Sequence, residues 1–270
     1  MSKGIKCQQA MEALERIAPK RLAEEWDNPG LLLGSPVQEG HKILTCLDVT
    51  DEVVEEAISQ GADMIVAHHP LIFKGIKKLR TDLPLGARLQ KLMVHGIAVA
   101  AAHTNLDTAE GGVNDVLARL IGLTDIQSFA GKAEEGEDPT LGRIGYLPEA
   151  MSIEDFARQV KEALPVDYVR LVKADAKRVK KVALCSGAGS EFIAKAAFLG
   201  ADAYVTGDVK YHEAQQAVEM GLHVIDGGHF GTEFPVAAVL RDRLAEELSG
   251  LKGEVEVVAD TLSKDLFSVI

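Results

Sequence analysis

The chain has 270 residues, 47% of them apolar, and a formal net charge of -12. That apolar share can fill the core of one large α/β unit or of two smaller ones, which excludes a disordered chain. The acidic balance argues against a surface that neutralises phosphates, so direct nucleic-acid binding is not expected. No run approaches the roughly 20 apolar residues of a bilayer span and no basic-then-apolar leader opens the chain, so no membrane association is expected and the expected compartment is the cytoplasm.

In chain order, Ala10, Met11, Leu14 and Ile17 recur at helical spacing and predict a helix near residues 6 to 18 that stops at Pro19. Trp26-Asp27-Asn28-Pro29-Gly30 reads as a tight turn, after which Leu31-Leu32-Leu33 is expected to enter the core. Ile43 to Val49 is a buried-strand candidate. Thr50 then offers an N-cap, Asp51 and Glu52 suit a first helical turn, and Gly61 suits the stop. Met64 to Ala67 and Ile97 to Ala102 are further strands, placing His68, His69 and His103 at strand ends. The basic cluster Lys74, Lys77, Lys78 and Arg80 is either a solvated loop or a source of positive field beside the histidine pair.

Ala133 to Thr140 is acidic and polar and reads as an exposed loop. A strand from Arg143 to Leu147, a helix opened by Ser152 and a strand near Tyr168 to Lys173 follow. Val182 to Cys185, a helix capped by Ser190 and stopped at Gly200, Ala203 to Thr206, and Leu222 to Ile225 then repeat the strand, helix, strand order. The last strand leads through Asp226 and Gly227-Gly228 to His229. Alternation of this kind predicts an α/β fold of α/β/α layers with largely parallel strands. Cys7, Cys46 and Cys185 are odd in number and far apart, and read as reduced core residues. Walker, dinucleotide-binding and Gly-x-Ser-x-Gly motifs are absent from the sequence.

The chain also repeats itself. His41-Lys42-Ile43, Gly61-Ala62-Asp63 and His103 to Asp107 are matched by Lys180-Lys181-Val182, Gly200-Ala201-Asp202 and His229 to Glu233, with equal spacing from Lys42 to Gly61 and from Lys181 to Gly200. The repeat divides the chain into a first lobe at 1-125, a connecting segment at 126-179 and a second lobe at 180-270. In open α/β sheets, sites form outside the carboxyl ends of strands, where these histidines and acids converge.

A lone histidine at a strand end is most often a hydrogen-bonded structural residue, and His41, His95 and His223 are read that way. Adjacent histidines followed by proline, together with two His-x-x-x-acid units, point instead to metal. Neighbouring side chains on an extended strand point apart, so His68 and His69 suit two ions better than one. Asp107 and Glu233 are candidate bridging carboxylates, and with His229 they bring the count to five ligands, too many for one catalytic zinc that keeps a position open. Imidazoles favour zinc, iron, manganese or cobalt over magnesium. His103 is read as a ligand, a support to one or a proton-transfer group, and Asp208 and His212 as a polar contact facing the site.

Trp26 to Leu31, Ala67-His68-His69-Pro70-Leu71-Ile72-Phe73, His103 to Asp107 and Gly228 to Glu233 together resemble the Nif-three-like family, labelled GTP cyclohydrolase one type two homologues. The resemblance covers nearly the whole chain. It implies a dinuclear metal site in a cleft between two repeat-related lobes, held by His68, His69, Asp107, His229 and Glu233, and a toroidal homohexamer built as a trimer of dimers. Longer members carry an inserted domain that would not fit between Leu123 and Lys180. The expected function is a metal-dependent hydrolase that attacks a nucleotide-like or small anionic substrate with metal-activated water, His103 shuttling the proton. The alternative is a metal-binding scaffold or metal-handling protein without turnover.

Overall fold

The computed structural model describes residues 3–129 and 138–269. Of the loop expected at Ala133 to Thr140, residues 133–137 lie outside the described residues. Among the described residues no helix is long and apolar enough to cross a membrane. The chain forms two compact units, Met1–Ala109 with Val236–Lys264, and Glu110–Pro235 with Asp265–Ile270.

The first unit begins β1 (Ile5–Lys6), α1 (Cys7–Ile17), β2 (Gly30–Leu33), β3 (Glu39–Gly40) and β4 (Lys42–Cys46). It continues α2 (Asp51–Ser59), β5 (Met64–Ala67), α3 (Pro84–Val94), β6 (Ala98–Ala101) and α4 (Thr104–Thr108). The second unit contains α5 (Val113–Leu120), β7 (Thr124–Ser128), β8 (Arg143–Met151), α6 (Ile153–Ala163), β9 (Arg170–Val172) and β10 (Val179–Leu184). It ends α7 (Ile193–Phe198), β11 (Ala203–Thr206), α8 (Tyr211–Glu219), β12 (His223–Asp226) and α9 (His229–Glu233). The chain then returns to the first unit as α10 (Val236–Leu248) and β13 (Glu256–Ala259).

The first unit's main sheet has the order β13-β4-β5-β6-β2, parallel except for β2 at one edge. Alternate residues of the buried strands face opposite layers. Leu44, Cys46, Ile65 and Ala67 pack with Val53 and Ala57 of α2 and Leu92 of α3. On the other layer the Thr45 hydroxyl donates to the Ala237 carbonyl of α10, 2.7 Å away. The Thr50 side chain caps α2 by accepting from Val53 N, a contact worth about 1 kcal/mol. Leu31, Leu32 and Leu33 are only half-buried, because an edge strand covers one face and leaves the other to solvent.

The second unit's sheet has the order β7-β8-β10-β11-β12-β9, with β10, β11 and β12 parallel and β7, β8 and β9 paired antiparallel. Val182, Leu184, Ala203, Val205 and Ile225 pack with Phe156 and Val160 of α6. Ala183, Cys185, Tyr204 and Val224 face the opposite layer, with Ile193 and Ala196 of α7 and Ala217 of α8. Period-two alternation thus builds an α/β/α sandwich in this unit as well. The three cysteines are buried and form no disulfide among the described residues.

Two boundaries read from the sequence move. Residues 126–179, whose lobe the sequence leaves unassigned, join the second unit through β7, β8, α6 and β9, and α10 and β13 leave the expected second lobe for the first unit's sheet. Ser190 opens a 3-10 turn at Ser190–Phe192 instead of capping α7.

Candidate metal centre

The repeat read from the sequence is physical down to single hydrogen bonds. Asp63 Oδ2 accepts from the backbone N–H of His41 at 2.6 Å and of Lys42 at 3.1 Å. Asp202 Oδ2 accepts from Lys180 at 3.0 Å and Lys181 at 2.8 Å. Ile43 pairs with Met64 as Val182 pairs with Ala203. Gly61 and Gly200, with φ of 65° and 75°, take the left-handed conformation that ends each helix.

Each unit carries part of the predicted ligand set. In the first, His68 and His69 follow β5 directly, His103 precedes α4, and Asp107 lies one helical turn further on, its N–H donating to the His103 carbonyl at 3.0 Å. His68, His69 and His103 each offer a donor atom within 4.8 Å of the others. His68 Nε2 lies 3.5 Å from Asp107 Oδ1, and both residues are buried. In the second unit, His229 and Glu233 occupy the two ends of α9, with His229 Nε2 3.1 Å from Glu233 Oε2.

All four histidines are held through Nδ1. His68 Nδ1 lies 2.9 Å from the Ala102 carbonyl, His69 Nδ1 2.8 Å from Asp48 Oδ1, and His103 Nδ1 2.8 Å from Asp27 Oδ1. His229 Nδ1 lies 2.8 Å from Asp208 Oδ2. A carbonyl or carboxylate oxygen can only accept, so each Nδ1 carries a proton, and the neutral form of such a ring presents its lone pair at Nε2. A lone pair set against a carboxylate, as at His68–Asp107 and His229–Glu233, is repulsive unless a cation or a proton lies with them. The donor set therefore fits a metal, with outer oxygens fixing the tautomers that ligation requires.

The sequence reading missed several supports. Asp48 stands just past β4, and nothing in the linear spacing ties it to His69. Asp27 was read as a turn residue, yet it also accepts from Thr104 N at 3.0 Å and from the Thr104 hydroxyl. Burial pushes its carboxyl pKa up, but the hydrogen bonds from His103 and Thr104 outweigh this and hold it at about 2. Asp208 does contact the site, through His229 instead of the expected His212, and its φ of 55° marks a strained turn. Gly187 closes the wall behind Glu233, since a Cβ there would fall 2.2 Å from Glu233 Oε1.

The two His-x-x-x-acid units are not equivalent. The first i to i-4 bond of each helix shows the offset: Asp107 N donates to the His103 carbonyl, whereas Thr232 N donates to the Gly228 carbonyl. His229 is thus the first residue of α9, while His103 is the residue before α4. The one-residue offset leaves His103 with a backbone setting of its own.

Comparison with known proteins follows the same whole-chain pattern. The family profile described as Duf34/NIF3 (NGG1p interacting factor 3) matches residues 5–265. A Clostridium perfringens protein named GTP cyclohydrolase 1 type 2 homolog is 34% identical over 266 residues, covering 98% of this chain and 100% of its own. A Halalkalibacterium halodurans protein of the same name is 31% identical over 367 aligned positions, covering 97% of this chain and 98% of its own. That alignment is longer than the 270-residue chain, so the relative carries sequence this chain lacks. The crystal structure of a Bacillus cereus protein related to NIF3 matches with a TM-score of 0.91 at 30% identity over 100% of both chains. With the family profile spanning nearly its full length and relatives aligned end to end, the chain belongs to the Duf34/NIF3 family.

Proposed function

We propose that the chain is a metal-dependent hydrolase in which His68, His69 and Asp107 of one unit and His229 and Glu233 of the other serve a single dinuclear centre, in a cleft between repeat-related lobes. The observation that carries this reading is the shared Nδ1 anchoring, which turns every histidine of the set into an Nε2 donor. Five protein donors exceed the needs of one catalytic ion, and imidazole with carboxylate favours zinc, iron, manganese or cobalt over magnesium. Bound there, such ions would supply an acidified water and a Lewis acid for an anionic substrate.

His103 does the proton work. Its Nε2 accepts a proton from the attacking water and returns it to the leaving group, and Asp27 stabilises the imidazolium formed in between. The name shared by the relatives supports a nucleotide-like or small anionic substrate. The net charge of -12 supports a small ligand over a polyanion. Buried cysteines without a disulfide among the described residues support a reducing compartment such as the cytoplasm. The homohexamer belongs to the same proposal: light scattering should return six times the 29.0 kDa chain mass, and a monomeric mass contradicts it.

The test is turnover by fully metallated protein on nucleotides, nucleosides and phosphoesters. Hydrolysis lost in Glu233→Ala supports the enzyme. Full loading with every compound unchanged, and ready release of ions to an acceptor protein, contradicts it and supports a metal-handling role.

A further inference from the structure

Trp26 is the chain's single tryptophan, and it is 60% exposed. Phe73, in the loop after the histidine pair, is 43% exposed. Neither ring belongs to the core cluster of their unit. They stand together as an open corner around His103: Trp26 and Phe73 have ring centroids 5.8 Å apart, Trp26 and His103 6.1 Å, and Phe73 and His103 6.1 Å, all edge-to-face.

The corner is rigidly held. Asn28 Nδ2 donates to the Ile72 carbonyl at 2.6 Å, tying the segment that carries Trp26 to the one that carries Phe73. Asp27, next to Trp26, binds both His103 and Thr104. Large aromatic surface kept in water costs free energy, and aromatic pairs at these angles leave flat faces open to a third ring. Lys74, Lys77 and Lys78 follow Phe73 in the same exposed loop and make that loop cationic.

We propose that Trp26 and Phe73 form a stacking subsite for the planar heteroaromatic ring of an anionic small molecule, whose negative group is met by Lys74, Lys77 and Lys78. The proposal deepens the hydrolase reading and rests on it in placing the reacting part of the ligand at His103. A flat ring gains stacking on either wall, whereas an aliphatic phosphate gains only the lysine contacts.

Trp26 provides the readout. Metal-loaded protein is titrated with guanosine 5′-monophosphate, adenosine 5′-monophosphate, guanosine and ribose 5-phosphate while its fluorescence is followed, and bound metal is counted in the same samples. Both nucleotides should quench saturably, the nucleoside should bind more weakly, and ribose 5-phosphate should leave the signal unchanged. Phe73→Ala should weaken nucleotide binding about tenfold or more at unchanged metal content, and Phe73→Tyr should restore it. Replacing the three lysines together should remove the preference for nucleotide over nucleoside.

Ribose 5-phosphate bound as tightly as the nucleotides, nucleotide affinity indifferent to Phe73→Ala, or no binding of any ring compound to loaded protein overturns the subsite. Ring binding by protein that never takes up metal leaves the subsite standing and overturns the hydrolase reading alone.

Discussion

At the residue scale, the chemistry depends on which nitrogen of each imidazole carries its proton. Asp48 and Asp208 perform the same task for His69 and His229, each accepting from Nδ1 at 2.8 Å. Asp48→Ala and Asp208→Ala should therefore each lower metal affinity by roughly 10- to 100-fold while leaving the ligands themselves in place. Competition with a chelator of known affinity measures this, and unchanged affinity in both variants contradicts the positioning role. The candidate donors could be named from the sequence because His-His-Pro and the paired His-x-x-x-acid units are uncommon patterns. Their oxygen supports could not, because Asp48 lies 21 residues from His69 and Asp27 76 residues from His103, contacts made only by folding.

At the scale of elements, one carboxylate ties the loop from β12 into α9 to a neighbouring turn. Asp226 is buried. Its Oδ1 accepts from Gly228 N at 2.9 Å, and its Oδ2 accepts from Val209 N at 3.0 Å and from the Arg170 guanidinium. It thereby ties the turn that carries Asp208 to the turn that carries His229. Asp226→Ala would strand two backbone donors and should cost about 2–4 kcal/mol, read by denaturant unfolding. A loss below about 0.5 kcal/mol would show that the loops are held by other means. The strands of both repeats and the helix after the first strand of each were legible from apolar runs and helix stops, whereas α3 and α8 were not read. A matching motif fixes spacing within an element and not the residue at which the element begins: α9 starts at His229, whereas α4 starts one residue after His103. Ser190 was misjudged: a capping residue type does not cap when the chain makes a 3-10 turn first.

At the scale of the whole molecule, each unit places its candidate histidines just past the carboxyl ends of its parallel strands, His68 and His69 after β5 and His229 after β12. The sequence division failed where the chain crosses back. The α10 helix and β13 are far in sequence from β4, yet Val257 pairs with Ile43 and Ala259 with Thr45. Such non-local pairing has no signature in a single sequence. The antiparallel edges, β2 in one unit and β7, β8 and β9 in the other, were hidden for the same reason: alternation announces a strand without naming its neighbour.

The central claim is that ligands from both units hold the same ions. The measurement that tests it most directly is metal content by plasma mass spectrometry on untagged protein purified without chelator or added metal, beside His68→Ala and Glu233→Ala. The account predicts close to two transition-metal ions per chain, with loss in both variants. One ion or none, or a content that neither substitution changes, would contradict it.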